Sequence, residues 1–83
     1  MTAAVTLYTR VNCHLCDVVK DTLDEVRRER PFDLTVLDVD ADPEARRLYD
    51  WEVPVVLING RKAFKLRMEA AAFRAHLDRV ETT

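Results

Sequence analysis

A change of hydrophobic period after Tyr8 constrains this chain most. Ala4 to Tyr8 ("AVTLY") is a short β-branched and aromatic run with strand character. From Leu15 the spacing changes. Leu15, Val18, Val19, Thr22, Leu23 and Val26 recur three and four residues apart, which predicts one apolar face of a helix. Pro31 ends that helix, because proline cannot donate into it and restricts the residue before it. Phe32 to Val39 ("FDLTVLDV") then returns to strand character. Its apolar residues alternate at Phe32, Leu34 and Val36 and change phase at Leu37 and Val39, the pattern of a strand inside a sheet covered on both faces. Strand, helix, strand in so short a span implies a parallel pair joined by a right-handed crossover.

The second half is readable in the same way. "DADPEARRLYDW" carries a helix start, with Asp42 as N-cap, Pro43 in the first helical position and Glu44 at the positive dipole end. This helix ends near Tyr49. "VPVVLINGRKAFKL" (Val53 to Leu66) reads as a hairpin, since Asn59-Gly60 tolerates the positive φ angles of a type I′ turn. Ala72, Phe73, His76, Leu77 and Val80 form one stripe of a closing helix, opened by Met68 and Glu69. The order is β-α-β-α-β-β-α, an α/β chain with a small mixed sheet and helices on its faces. At 83 residues, one domain over 1–83 is the natural reading.

Charge and hydropathy exclude several classes. Thirteen basic residues face fifteen acidic ones, for a net charge of −2, so no basic surface invites nucleic acid. "VRRERP" is the one cationic cluster, and it reads as the end of the first helix, where Arg27, Arg28 and Arg30 complement the dipole. No apolar run approaches the roughly 20 residues that span a bilayer, so no membrane role is expected. The N-terminal "MTAAVTLYTR" has no basic n-region or apolar h-region, so the cytoplasm is the expected location.

Cys13 and Cys16 are the only cysteines, and they fall where the first strand becomes the first helix. A structural staple is disfavoured: reducing compartments rarely keep one, and so short a loop removes little chain entropy. A metal site needs further ligands. His14 and His76 are the available imidazoles, but His14 cannot readily join the two thiolates flanking it, and no second C-x-x-C or H-x₃-H exists. No resident metal is expected. A redox pair fits the placement. Free N–H groups and the dipole of a helix start favour negative charge, so Cys13 should ionise more readily than a free thiol of pKa about 8.5. Residues three apart are neighbours on a helix, so Cys16 can reach the Cys13 sulfur. A C-x-x-C beside a βαβ pattern reads as a thioredoxin-like redox motif. Pro54 is the second signal, expected to follow a cis Val53–Pro54 bond that faces the cysteines.

"LYTRVNCHLC", "VPVVLING" and the order of elements between them resemble the glutaredoxin-like branch of the thioredoxin superfamily, most closely small bacterial members with a Cys-His-Leu-Cys site. The resemblance spans nearly the whole chain. It implies a four-stranded sheet in the order 2-1-3-4 flanked by three helices. It implies Cys13 as nucleophile, Cys16 as resolving thiol, Pro54 as the cis proline, and the Val53 backbone as a β-like partner for bound substrate. Arg10 stands three positions before Cys13, where glutaredoxins often place a basic residue that meets a glutathione carboxylate. The chain departs from that family after the hairpin. "RKAFKLRMEA" lacks the Gly-Gly and acidic residue that hold the γ-glutamyl end, and Glu69 reads as compensation for a helix dipole.

The expected activity is thiol–disulfide exchange on protein disulfides or low-molecular-weight thiol mixed disulfides. No bound cofactor is expected, with glutathione or another small thiol as co-substrate. The implied reductant is a glutathione-type thiol or a thioredoxin-reductase-type enzyme, and the chain is expected to be a monomer. The alternative is a thioredoxin-fold binding module or redox sensor, including a carrier of an Fe–S cluster bridged between two chains. His14 is expected to tune the Cys13 thiolate, His76 to pack partly buried, Tyr8 to pack at the end of the first strand and Trp51 to pack beside the proline.

Overall fold

The computed structural model describes residues 2–81. Its elements are β1 (Ala4–Thr9), α1 (His14–Glu29), β2 (Asp33–Asp38), a 3₁₀ turn (Val39–Ala41), α2 (Pro43–Tyr49), β3 (Val55–Ile58), β4 (Arg61–Lys65) and α3 (Ala70–Glu81). The four strands form one sheet in the order β2-β1-β3-β4. β1 and β2 are parallel, as a crossover through α1 requires, while β3 pairs antiparallel with both β1 and β4. The Asn59-Gly60 turn has positive φ at both residues, 52° and 82°, the geometry that lets β3 fold straight back into β4.

Alternation along β1 assigns the two faces. Val5 and Leu7 point toward α1 and α3, where they join Val19, Leu23, Val26, Phe73 and Leu77 in the main core. Tyr8 points the other way and stacks on Tyr49 of α2, with ring centroids 5.1 Å apart. Val55, paired with Tyr8, is fully buried on the α2 side together with Val39 and Ala45. Phe73 is fully buried, packed edge-on against Phe32 at 5.4 Å and tilted against Phe64 at 6.3 Å.

Three expectations are corrected here. α1 buries Cys16, Val19, Leu23 and Val26, whereas Leu15 and Val18 are 46% exposed and Thr22 is only half-buried. The apolar residues of α1 are more numerous than the sheet can cover, and the burial of Cys16 rotates the inward stripe away from Leu15 and Val18. β2 is an edge strand, as the order 2-1-3-4 implied by the resemblance requires and against the interior reading of its apolar pattern, and its Val36 and Leu37 are 43% and 41% exposed. Its phase change has another cause: the strand ends at Asp38, and Val39 turns inward from the 3₁₀ turn. α3 begins at Ala70, after Met68 and Glu69; the Glu69 carbonyl accepts from Phe73 N–H at 3.0 Å, the role of an N-cap, and Ala72 lies off the buried stripe.

Two of the arginines at the end of α1, Arg27 and Arg30, are hydrogen-bonded, Arg27 to the Phe32 carbonyl at 3.1 Å. Arg30 donates to Asp78 at 2.5 Å and to Glu81 at 2.6 Å, and Arg74 grips Glu29 with two bonds of 2.9 Å. These pairs tie α1 to α3 at the surface. Each carries modest energy because it lies at the protein surface, where water and salt screen it.

Candidate active site

The site begins in the loop between β1 and α1. Asn12 takes a left-handed conformation, φ 62°, which an asparagine tolerates better than most residues, and turns the chain into the helix. Cys13 follows in an extended conformation as the N-cap of α1. Its Sγ accepts a hydrogen bond from the backbone N–H of Cys16 at 3.2 Å. Its carbonyl accepts from Asp17 N–H at 3.2 Å, the first turn of the helix. The two cysteines are disulfide-bonded, with Cα atoms 5.2 Å apart. They are not equivalent. Cys16 is 2% exposed at the edge of the core, whereas Cys13 is only half-buried. His14 opens α1 and is exposed.

The second half of the site comes from the segment between α2 and β3. Antiparallel pairing of Tyr8 with Val55 brings the end of β1 and the start of β3 to the same end of the sheet. The residues just after β1 and just before β3 therefore meet there. The Val53–Pro54 peptide is cis, Pro54 is buried and Val53 is half-buried. Leu66, at the end of the hairpin, closes this segment from the other side. Its N–H donates to the Pro54 carbonyl at 2.8 Å and to the Glu52 carbonyl at 3.3 Å. Glu52 is further held by Lys62 at 2.6 Å, whose hydrogen bond keeps its carboxyl below the ordinary range.

Arg10 joins the two halves. Its Nε and Nη2 donate to the two oxygens of Asp40, at 2.9 and 3.0 Å. Nη1 donates to the backbone carbonyl of Asp50 at 2.9 Å, and Nη2 also donates to the Asp50 carboxylate. The hydrogen bond from Arg10 is the main reason that the Asp40 carboxyl lies below its ordinary range, and the guanidinium is raised in turn. Arg10 is therefore not a free cation on a loop.

Trp51 corrects a further expectation. It is 88% exposed rather than packed. It lies on the wall of an open cleft of about 560 Å³ shared with Leu48, Arg46 and Arg47. Turn geometry decides this. Asp50 is held by Arg10 and Glu52 by Lys62, and Trp51 between them is left facing water. A smaller pocket of about 210 Å³ lies against α1, lined by Leu15, Val18, Leu66 and Met68. Sequence reasoning missed Leu66 altogether. Its one available signal was position, directly after the strand that returns from Gly60. His76 is half-buried against Phe64, with ring centroids 5.9 Å apart.

Residues 4–78 match the family described as Glutaredoxin-like domain (DUF836). An uncharacterized protein of Mycobacterium tuberculosis and one of Mycobacterium bovis are each 32% identical over 80 residues, covering 90% of this chain and 82% of the relative. A solved structure of a protein from X. campestris is 32% identical with a TM-score of 0.77, covering 92% of this chain and 97% of that one. Chloroplastic thioredoxin z superposes with a TM-score of 0.81 at 16% identity, over 99% of this chain and 80% of its own, a likeness of fold. A thioredoxin-like fold with a cysteine pair at disulfide distance points to redox activity. With its matched length and the strand order β2-β1-β3-β4, the chain belongs to the glutaredoxin-like domain family.

Proposed function

We propose that this chain is a thiol–disulfide oxidoreductase in which Cys13 is the nucleophile and Cys16 the resolving thiol. The asymmetry of the pair carries the reading. Cys13 is partly open and caps a helix with its sulfur, while Cys16 lies 2% exposed behind it. In the reduced form the Cys16 N–H and the helix dipole favour a thiolate on Cys13, the attacking species in disulfide exchange.

The Cys13 thiolate attacks one sulfur of a substrate disulfide. A bond forms between Cys13 and that sulfur, the substrate S–S bond breaks, and the other substrate sulfur leaves as a thiolate that takes up a proton. Cys16 loses its proton and attacks Cys13 Sγ. The Cys13–Cys16 bond forms and the second substrate sulfur leaves. The substrate gains two electrons and the pair loses two. A glutathione-type thiol or a reductase returns them by the reverse exchange.

Substrates in this reading are protein disulfides or small-thiol mixed disulfides. Val53 supports a polypeptide partner: among the described residues, neither its N–H nor its carbonyl takes part in a hydrogen bond, so both are available to an extended strand. Pro54 shapes that segment, and His14, beside Cys13 at the helix start, adds positive charge to the thiolate's surroundings when protonated.

The test is a trap. A Cys16→Ser variant should accumulate a substrate-linked disulfide on Cys13, seen by mass spectrometry. Disulfide turnover in a Cys13→Ser variant, or a trap that never loads, would sink the mechanism.

A further inference from the structure

The resemblance to glutaredoxins implies that Arg10 meets a ligand carboxylate, yet its fork is spent on the protein itself. A guanidinium has five N–H donors. Four serve hydrogen bonds to Asp40 and Asp50. One side of the fork holds Asp40 at the 3₁₀ turn in bidentate fashion. The other holds the C-cap residue of α2, Asp50, by its backbone and its side chain at once. Two carboxylates in contact already offset more than the single charge of Arg10. Little capacity remains for a third.

The connected elements are informative. Arg10 lies three residues before Cys13, and Asp50 lies three residues before Val53. Asp50 is itself tied to α2, donating to the Arg46 carbonyl at 3.1 Å. Arg10 therefore spans from the loop carrying the nucleophile to the segment that presents Val53 and Pro54. Only a planar fork makes this set of contacts; an ammonium on a lysine stem cannot span two oxygens of one carboxylate and two acceptors of another residue together.

We propose that Arg10 is a positioning residue that sets the distance between the Cys13 loop and the Val53–Pro54 segment, and that it does not bind the carboxylate of a small-thiol substrate. This rests on Cys13 acting as the exchange nucleophile. Attack on a disulfide needs the bound substrate sulfur held on line with the Cys13 sulfur. A displacement of about 1 Å at such a contact can cost roughly 100-fold in rate. The fork holds the substrate-facing backbone at a constant separation from the nucleophile, whichever disulfide is bound.

The experiment compares Arg10→Lys and Arg10→Gln with the parent on two probes, a disulfide-bonded peptide and the mixed disulfide of glutathione with a peptide thiol. Positioning predicts that Arg10→Lys, which keeps the charge but loses the fork, lowers kcat/KM about tenfold or more on both probes in similar proportion. The pH profile of Cys13 alkylation should stay where it is in Arg10→Lys. The anisotropy of Trp51, the only tryptophan and the neighbour of Asp50, should fall as the segment loosens. Asp50→Asn provides a second route to the same loosening without touching Arg10, and should lower both rates and the anisotropy in step.

A loss confined to the glutathione probe and expressed in KM would overturn positioning in favour of carboxylate binding. Full activity in Arg10→Lys, with loss in Arg10→Gln and a shifted alkylation profile, would overturn it in favour of charge. The trap in a Cys16→Ser background keeps the two readings apart. If it loads on Cys13 while the Arg10 variants turn over normally, positioning fails and exchange stands; if it never loads, exchange fails and positioning with it.

Discussion

Leu66 N–H donates to the Pro54 carbonyl at 2.8 Å, and Leu66 holds a left-handed backbone, φ 67°, while doing so. A bulky residue seldom adopts that conformation, and holding it costs on the order of 1–3 kcal/mol. The segment carrying Pro54 is thus latched from two directions, by Leu66 on the hairpin and by Arg10 through Asp50.

The latch at Leu66 predicts an inverted ranking of substitutions. Leu66→Gly removes a side chain that is 42% exposed and relieves the backbone. Its stability should fall within about 1 kcal/mol of the parent. Leu66→Val keeps more apolar surface but places a β-branched residue in the left-handed region, and should lose about 1–2 kcal/mol. Urea denaturation of the three proteins checks this. A glycine variant less stable than the valine variant would refute the account.

The cysteines should differ in reactivity once reduced. Cys13 is half-buried at the cap of α1, and Cys16 is 2% exposed. Iodoacetamide should label Cys13 first, with an apparent pKa below the free-thiol value of about 8.5. Peptide mapping after brief alkylation identifies the labelled site. Predominant labelling of Cys16 would reverse the assignment of nucleophile and resolving thiol.

Acid should weaken the fold. The carboxyls of Glu29, Asp40, Glu44 and Glu52 lie below their ordinary values, chiefly through hydrogen bonds from Arg74, Arg10, Arg47 and Lys62. A depressed folded-state value means that the stabilisation is present above the ordinary values of 4.5 and 3.8, and is lost as pH falls through the folded-state values. His76 is also lowered, by burial and then by Arg79. Its contribution is present above its ordinary value of 6.5 and declines as pH falls through its folded-state value. Both classes make stability rise from acid toward neutral pH. Denaturation midpoints at pH 3, 5 and 7, taken as on the order of these ordinary values, should increase in that order. Glu29→Gln should flatten the acid limb, and added salt should shrink the difference.

Two aromatic truncations should separate burial from exposure. Phe73 is fully buried against Phe32 and Phe64, so Phe73→Ala should cost about 3–5 kcal/mol. Trp51 is larger but 88% exposed, and Trp51→Ala should move stability by no more than about 0.5 kcal/mol. Thermal or urea unfolding measures both. A large loss in Trp51→Ala would mean that the indole packs in solution.

Much of the architecture was legible along the chain, because it rests on local chemistry. Asp42 caps α2 by accepting from Glu44 N–H at 3.0 Å, as an aspartate before proline suggests. Asn59-Gly60 turns the hairpin because both residues tolerate positive φ. The cysteine spacing placed one thiol at a helix cap and the other a turn inside.

What the chain could not reveal by itself are the properties set by neighbours distant in sequence. Leu15 and Val18 are as apolar as Val19 and Leu23, and only the finite width of the sheet decides which pair it covers. Val36 and Leu37 read as interior residues because a strand's own pattern does not state whether another strand lies beyond it; here β2 is the edge. Trp51 looks like core by composition and faces water because its two neighbours are anchored. Arg10 looks like a ligand-binding cation by position. Its true partners, Asp40 and Asp50, lie 30 and 40 residues away, and folding alone brings them within reach. Local sequence thus determined the elements and the placement of the cysteine pair. Tertiary packing decided which side chains stay exposed and unpaired, because burial and ion pairing are properties of what a residue is packed against.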